Sequence, residues 1–357
     1  MPRIRRTLFE NLPLPMKKAA VQTMLGLPRP IRRIIAGPAA RIDGQEQDLD
    51  AQLVTRLMRV SGMELFGGPI DRARAHTDEG ATVMGGTLAG PDMGIREITI
   101  PATGYDIPAT LYSPAGLPDE VGLLVFYHGG GWSVGSRHSH EPVARFLAVH
   151  AGVRVLSIEY RLAPENPFPA AVDDAVTAFG YAHAHAGEIG ADPARIAVGG
   201  DSAGGNLAAV VAQCTTAGGG PSPAFQLLLY PATDLGARTA SRRLFAAGFL
   251  LTADDIRWAN TNYLPDGAEL TDPRLSPLHG DPAGVAPAYI ATAGFDPLRD
   301  EGDSYAEKLA AAGVAVIHDR YPDLPHGYLN FLGIGGRAHQ AALAAAHALE
   351  TGLAEGN

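Results

Sequence analysis

Apolar residues recur in two different rhythms along this 357-residue chain. From Ile95 onward, short apolar runs rich in Val, Ile, Leu and Tyr alternate with longer stretches of helical spacing. The runs predict strands near 95–100, 109–113, 122–127, 154–159, 195–199, 225–230, 288–293 and 314–320. Helical spacing falls near 139–151, 168–187, 203–216, 299–313 and 337–352. This alternation predicts an α/β fold: a mostly parallel central sheet flanked by helices on both faces. No helix separates the first two strands, so the sheet should open with an antiparallel pair. Residues 234–280 interrupt the alternation and hold a helical pattern near 252–263, so about 234–263 reads as an insertion that lies over the site as a lid.

The upstream part reads differently. As far as Pro38 it is basic and punctuated by Pro13, Pro15, Pro28 and Pro30, which argues against long helices there. From Leu49 the residues Leu49, Leu53, Val54, Leu57 and Met58 recur at helical spacing. Residues 80–94, with Gly80, Gly85, Gly86, Gly90 and Gly94, read as a flexible connection. The division is therefore an N-terminal helical cap or lid over residues 1–90 and a catalytic domain over 91–357.

Composition narrows the class. Hydrophobic residues make up 46% and charged residues 18%, enough for a large core and too little charge for disorder. Apolar runs such as 123–127 and 227–230 are strand-length and far short of a membrane span. A single cysteine, Cys214, forms no internal disulfide, and Arg3, Arg5 and Arg6 are not followed by a secretory core, so a cytoplasmic location is expected. Residues 1–41 hold nine Lys and Arg against Glu10, a net of +8, so the remainder carries −18 within a total of −10. Such a body repels nucleic acid. The basic segment has two readings: weak attraction to an anionic lipid surface, or pairing with the acidic body, and the second is favoured.

Chemistry narrows it further. Lysine occurs only at 17, 18 and 308, with no Gly-Lys pair for a phosphate loop and no Ser-x-x-Lys. His138–Ser139–His140 and His183–Ala184–His185 lack carboxylate or Cys partners in a recognisable pattern, so neither a metal nor a cofactor is expected. Two stretches match Gly-x-Ser-x-Gly, one around Ser133 and one around Ser202. A nucleophile elbow needs a strand running into the serine, a helix running out and small neighbours at a strained turn. Ser202 has all three: the strand 195–199, the helix from 203, and Gly199, Gly200, Ala203, Gly204 and Gly205 around it. Ser133 sits between Trp132 and Val134 with no helix before about Ser139. Taken alone, Ser202 could also be a helix N-cap in a glycine-rich turn.

The rest of the constellation favours the nucleophile. Strand 123–127 ends in His128-Gly129-Gly130-Gly131-Trp132, where consecutive glycines let backbone N–H groups converge. Such donors stabilise a developing oxyanion by about 3 kcal/mol each. Gly130, Gly131 and Ala203 are the candidate donors, with Gly129 ranked below them and His128 read as a strut for the loop. In addition, Tyr160-Arg161-Leu162-Ala163-Pro164-Glu165, Gly200-Asp201-Ser202-Ala203-Gly204-Gly205-Asn206, Asp296-Pro297-Leu298-Arg299-Asp300-Glu301-Gly302 and His326-Gly327-Tyr328 follow in order.

With the glycine motif, these segments resemble the hormone-sensitive-lipase-like family of bacterial esterases, in the branch with Asp before the serine. The resemblance covers about residues 95–335 and implies an α/β-hydrolase fold with a helical cap, Asp296 as the acid, His326 as the base, and admits a homodimer. The residues agree independently, since such a triad runs Ser, Asp, His along the chain with each member after a strand. Asp300 falls inside the following helix, His318 inside a strand, and His183, His185, His339 and His347 on helices where solvation is expected. Asp201 and Glu165 read as supports of the loops, Cys214 as buried, and Trp132, Phe249 and Leu250 as pocket or packing residues.

The expected function is a serine carboxylesterase for short- to medium-chain acyl esters, with a small-molecule ester and water as its partners. A lipase or an amidase/acylpeptide hydrolase would use the same triad, and a non-catalytic small-ligand receptor would require a broken one.

Overall fold

The computed structural model describes residues 12–61, 65–85, 92–334 and 336–354. A two-stranded hairpin, β1 (Arg41–Ile42) and β2 (Gln45–Glu46), precedes the main sheet. The sheet strands are β3 (Met93–Ala102), β4 (Tyr105–Pro114), β5 (Val121–Tyr127), β6 (Arg154–Ile158), β7 (Ala191–Asp201), β8 (Phe225–Leu229), β9 (Ala288–Phe295) and β10 (Val316–Pro325). They lie in the order β10-β9-β8-β7-β5-β6-β4-β3. The pairs β3–β4 and β4–β6 are antiparallel and the remaining pairs parallel. The strands expected from the apolar runs are all present.

Every residue of β5, β8 and β9 is buried. Mostly apolar strands buried along their whole length are stable only when both faces are covered. On one face pack the helices Ala170–Ala184, Ala203–Ala217 and Arg299–Ala311, and on the other Glu141–Ala151 and Gly336–Ala354. The last helix presents Ala341, Ala342, Ala345 and Ala346, whose small size lets it approach the sheet closely. At Gly352 a Cβ would stand 2.4 Å from the Phe225 ring, so only glycine fits that approach.

The proline argument against N-terminal helices fails. Residues Leu14–Leu25 and Arg29–Ala36 are helical. Pro13 and Pro28 immediately precede these helices, and Pro15 and Pro30 lie in their first turns. There proline's missing N–H removes no hydrogen bond, and its fixed φ favours the first turn. The stretch between Pro15 and Pro28 leaves room for three turns. A third helix, Leu49–Ser61, begins where the Asp48 carboxylate accepts the N–H groups of Asp50 and Ala51. A fourth, Ile70–Met84, runs through Gly80, so the expected flexible connection begins five residues too early; residues 86–91 lie outside the described set.

Side-chain contacts tie this segment to the body. Arg74 donates to the carbonyls of Ser133 and Ala163 at 3.0 Å and pairs with Glu165 at 2.6 Å. Asp43 pairs with Arg299 at 2.9 Å, and the Asp48 N–H donates to the Asp323 carbonyl at 2.9 Å. Among the described residues, no helix is long and apolar enough to cross a membrane.

Candidate active site

Ser202 stands between the end of β7 and the helix Ala203–Ala217, with φ +55° and ψ −115°. A non-glycine residue rarely holds such a φ unless its surroundings enforce it. Here they do. A Cβ at Gly200 would stand 2.3 Å from the Tyr127 carbonyl oxygen, and one at Gly204 only 1.9 Å from it. The Ser202 N–H also donates to the Leu229 carbonyl at 2.9 Å. Glycine on either side thus allows β7 and its helix to close against β5 and push the serine outward.

Asp296 follows β9 and His326 follows β10, and the fold brings both to Ser202. His326 Nε2 lies 2.9 Å from Ser202 Oγ, and His326 Nδ1 lies 2.7 Å from Asp296 Oδ2. The second Asp296 oxygen accepts the Leu298 N–H at 2.7 Å. A carboxylate beside Nδ1 holds the proton there, leaving Nε2 to accept from the serine hydroxyl. Asp296 is fully buried and His326 nearly so, and the His326 ring packs edge-on against Tyr230 with centroids 4.9 Å apart.

The glycine loop faces the same serine. Gly130 and Gly131 have φ of +120° and +57°, and a Cβ on Gly130 would stand 2.1 Å from the Val134 carbonyl oxygen. Among the described residues, no acceptor pairs with the N–H groups of Gly130, Gly131 or Ala203. The Gly129 N–H, by contrast, donates to Asp201 Oδ1 at 2.8 Å. A Cβ on Gly129 would stand 2.5 Å from Asp201 Oδ2.

His128 braces this loop. Its Nδ1 faces the Gly129 carbonyl at 2.8 Å and its ring stacks on Tyr160 at 4.3 Å. Burial, reinforced by nearby His140, pushes the His128 imidazole down to about 4. Burial alone would raise the Asp201 carboxyl, but His140 and the Gly129 N–H outweigh it and hold it below the usual carboxylate range.

The residues set aside by sequence have other partners. Asp300 accepts the Ser241 N–H at 2.8 Å and pairs with Arg299. His318 lies 3.1 Å from Asp303. Ser133 is buried, with its N–H in a turn to the Gly130 carbonyl. His347 is exposed as expected, whereas His183, His185 and His339 are only half-exposed: His339 meets Phe146 edge-on and His185 stacks on Tyr181 of the helix it caps. Cys214 is half-buried rather than buried. Sequence reasoning missed His140 and Arg74, whose partners are distant in the chain and carry no local spacing signal.

Two cavities among the described residues reach Ser202. The larger, about 930 Å³ including its mouth, passes His326, Gly327 and Phe331 and is roofed by Met58, Ala81 and Met84. The smaller, about 380 Å³, passes Gly131, Trp132 and Ala203 and ends among Leu235, Leu251 and Ile256. Phe66 borders both, so the cap segment and the 234–263 insertion each contribute walls. Phe249 lines a neighbouring cleft instead.

A mostly parallel sheet with a strained serine between a strand and a helix is the architecture of the α/β-hydrolases. A family profile described as alpha/beta hydrolase fold matches residues 124–330. The carboxylic ester hydrolase LipN of Mycobacterium tuberculosis is 47% identical over 326 residues, covering 88% of this chain and 86% of that protein. An ethyl acetate hydrolase of Pseudomonas putida is 36% identical, covering 79% of this chain and 90% of that one. The solved structure of an ester hydrolase from the Lake Arreo metagenome, in complex with a bipyridine phosphonate derivative, superposes with a TM-score of 0.80 at 37% identity, covering 84% of this chain and 97% of that chain. The chain belongs to the hormone-sensitive-lipase-like esterases of the α/β-hydrolase fold, and it is an enzyme that hydrolyses carboxylic esters.

Proposed function

We propose that Ser202, His326 and Asp296 act as nucleophile, base and orienting acid, and that the N–H groups of Gly130, Gly131 and Ala203 receive the oxyanion. The observation that supports this most is the unbroken hydrogen-bond chain from Asp296 through His326 to Ser202 Oγ. Ser202 Oγ bonds to the ester carbonyl carbon while its proton passes to His326 Nε2. The carbonyl oxygen then carries negative charge opposite the three N–H groups. As the ester C–O bond breaks, His326 gives the proton to the departing alcohol. Water repeats the route, its proton passing through His326 back to Ser202 as the acid leaves.

This assignment orients the substrate. The departing alcohol must lie beside His326, and that residue lines only the larger cavity. The acyl group then extends past Ala203 into the smaller one. Acids of short to medium chain follow, with a roomier apolar space for the alcohol. Residues 1–90, with about 234–263, serve as the lid over the 91–357 catalytic domain.

Initial rates on p-nitrophenyl esters from acetate to palmitate, with Ser202→Ala alongside, test the reading. A peak at short or middle chains that disappears in Ser202→Ala is expected. Turnover that peaks at palmitate would make the enzyme a lipase, and turnover of the matching anilides but not the esters an amidase. Decyl acetate and ethyl decanoate, which are isomers, test the orientation, with decyl acetate the better substrate. For the basic segment, Lys17 pairs with Glu79 and Arg32 with Asp50, while Arg33 and Arg41 pair with Glu46. Negligible co-sedimentation with anionic vesicles is therefore expected, and the mass of the free chain in the same runs tests the homodimer.

A further inference from the structure

One buried histidine near the site has no part in the chemistry above. His140 is 3% exposed and stands just ahead of the helix Glu141–Ala151, which packs on the opposite face of the sheet from the helix Ala203–Ala217. Its Nε2 lies 3.3 Å from Asp201 Oδ1, the same oxygen that accepts the Gly129 N–H at 2.8 Å. Its Nδ1 lies 2.9 Å from Ser139 Oγ. Ser139 Oγ accepts the Ser136 N–H at 2.8 Å and is within 3.0 Å of the Ser136 carbonyl.

The hydrogens can be counted. If the Ser139 hydroxyl donates to Nδ1, the neutral ring carries its hydrogen on Nε2. If it donates instead to the Ser136 carbonyl, Nδ1 must donate to Ser139. A bare Nε2 would then set its lone pair against a buried carboxylate, which favours the first arrangement. In that arrangement Nε2, carrying its hydrogen, lies 3.3 Å from Asp201 Oδ1, an electrostatic contact whose angle falls outside hydrogen-bond geometry.

We propose that His140 is a positioning residue for ester hydrolysis, holding Asp201 so that Asp201 fixes the Gly129 N–H and thereby aims the next two N–H groups at the oxyanion. Asp201 immediately precedes the nucleophile in the chain, and Gly129 immediately precedes Gly130. The Asp201 carboxylate therefore links the serine turn to the glycine loop by one side chain. It also borders the larger cavity, where water could solvate it if nothing held it back. Tyr230 touches its other oxygen only at 3.4 Å, a weak contact. His140 supplies the remaining restraint, and its ring is itself fixed by packing on His128 and Phe126.

The inference rests on the proposed roles of Ser202 and the glycine N–H groups, and the test separates the two. His140→Phe keeps an aromatic ring between His128 and Phe126 but removes both ring nitrogens. Loss of aim at the oxyanion should lower kcat per active site by about 10²-fold while KM changes by less than about threefold. Affinity for butylboronic acid, whose Ser202 adduct places a charged oxygen opposite the same N–H groups, should fall by the same factor as kcat/KM. His140→Asn, measured in parallel, serves if the Phe variant fails to fold. Active sites are counted by titration with a fluorophosphonate. Full kcat per active site in the folded variant, or unchanged boronate affinity, overturns the inference and leaves packing as the role of the ring. Undiminished activity in Ser202→Ala would instead overturn the underlying site assignment.

Discussion

The serine turn and the N-terminal segment are built on opposite terms. Around Ser202 the backbone itself is constrained: carbonyl oxygens lie where any Cβ on Gly200 or Gly204 would have to stand. The segment from Leu14 to Met84 instead docks largely through side chains, by Arg74 on the Ser133 and Ala163 carbonyls, Asp43 on Arg299 and Gln45 on the Gly294 carbonyl. Backbone constraints tolerate almost no substitution, because no rotamer change relieves a clash with a carbonyl. Of these docking side chains, Arg74 and Asp43 are partly exposed and can be exchanged at small cost. A rigid serine turn under a replaceable roof lets the chemistry stay constant while the substrate space varies.

This contrast can be broken at either end. The largest effect should come from His326→Ala, which should lower kcat/KM by about 10⁴-fold or more, leaving only catalysis by binding and the oxyanion N–H groups. Activity near that of the parent would place the base elsewhere. Next comes Gly204→Ala, where the added Cβ would stand 1.9 Å from the Tyr127 carbonyl oxygen. Stability by urea unfolding should drop by about 3 kcal/mol with most activity lost; a silent substitution would mean that the turn is not constrained as described.

A third measurement concerns His128. Its folded-state pKa, down to about 4 by burial, lies below the ordinary 6.5, so the unfolded chain takes up the proton first. Its neutral burial thus stabilises the fold fully above about pH 6.5, and this is lost as pH falls toward 4, by about 3 kcal/mol. Urea midpoints over that range should show the loss in the parent and a shallower slope in His128→Asn. The smallest effect belongs to the roof. Arg74→Ala should raise KM by about threefold to tenfold with kcat little changed, since it loosens a wall rather than the reacting groups. A kcat loss matching that of His140→Phe would instead mean that the cap takes part in aiming the N–H groups.

The sequence by itself determined what depends on local backbone demands. The parallel α/β core is legible because strands covered on both faces are nearly all apolar, as the runs 123–127 and 227–229 are. Ser202 is legible because a strained strand-to-helix turn needs small residues on each side, and Gly130 and Gly131 because converging N–H groups exclude side chains. The prolines at 13, 15, 28 and 30 were misleading in isolation, since whether proline ends or begins a helix depends on which turn it occupies.

Only the tertiary structure decided which residues stand opposite one another. Gly129 loses its N–H to Asp201, a residue 72 positions away. The pairing of His140 with Asp201, and of Arg74 with the carbonyls of 133 and 163, leaves no periodic or spacing trace either. Such contacts are set by the packing of whole elements, and a long side chain can reach its partner from many positions. The cavities have the same origin: Phe66 comes to border both through its N–H bond to Asp255 and its stacking on Trp258, which no local pattern around residue 66 encodes.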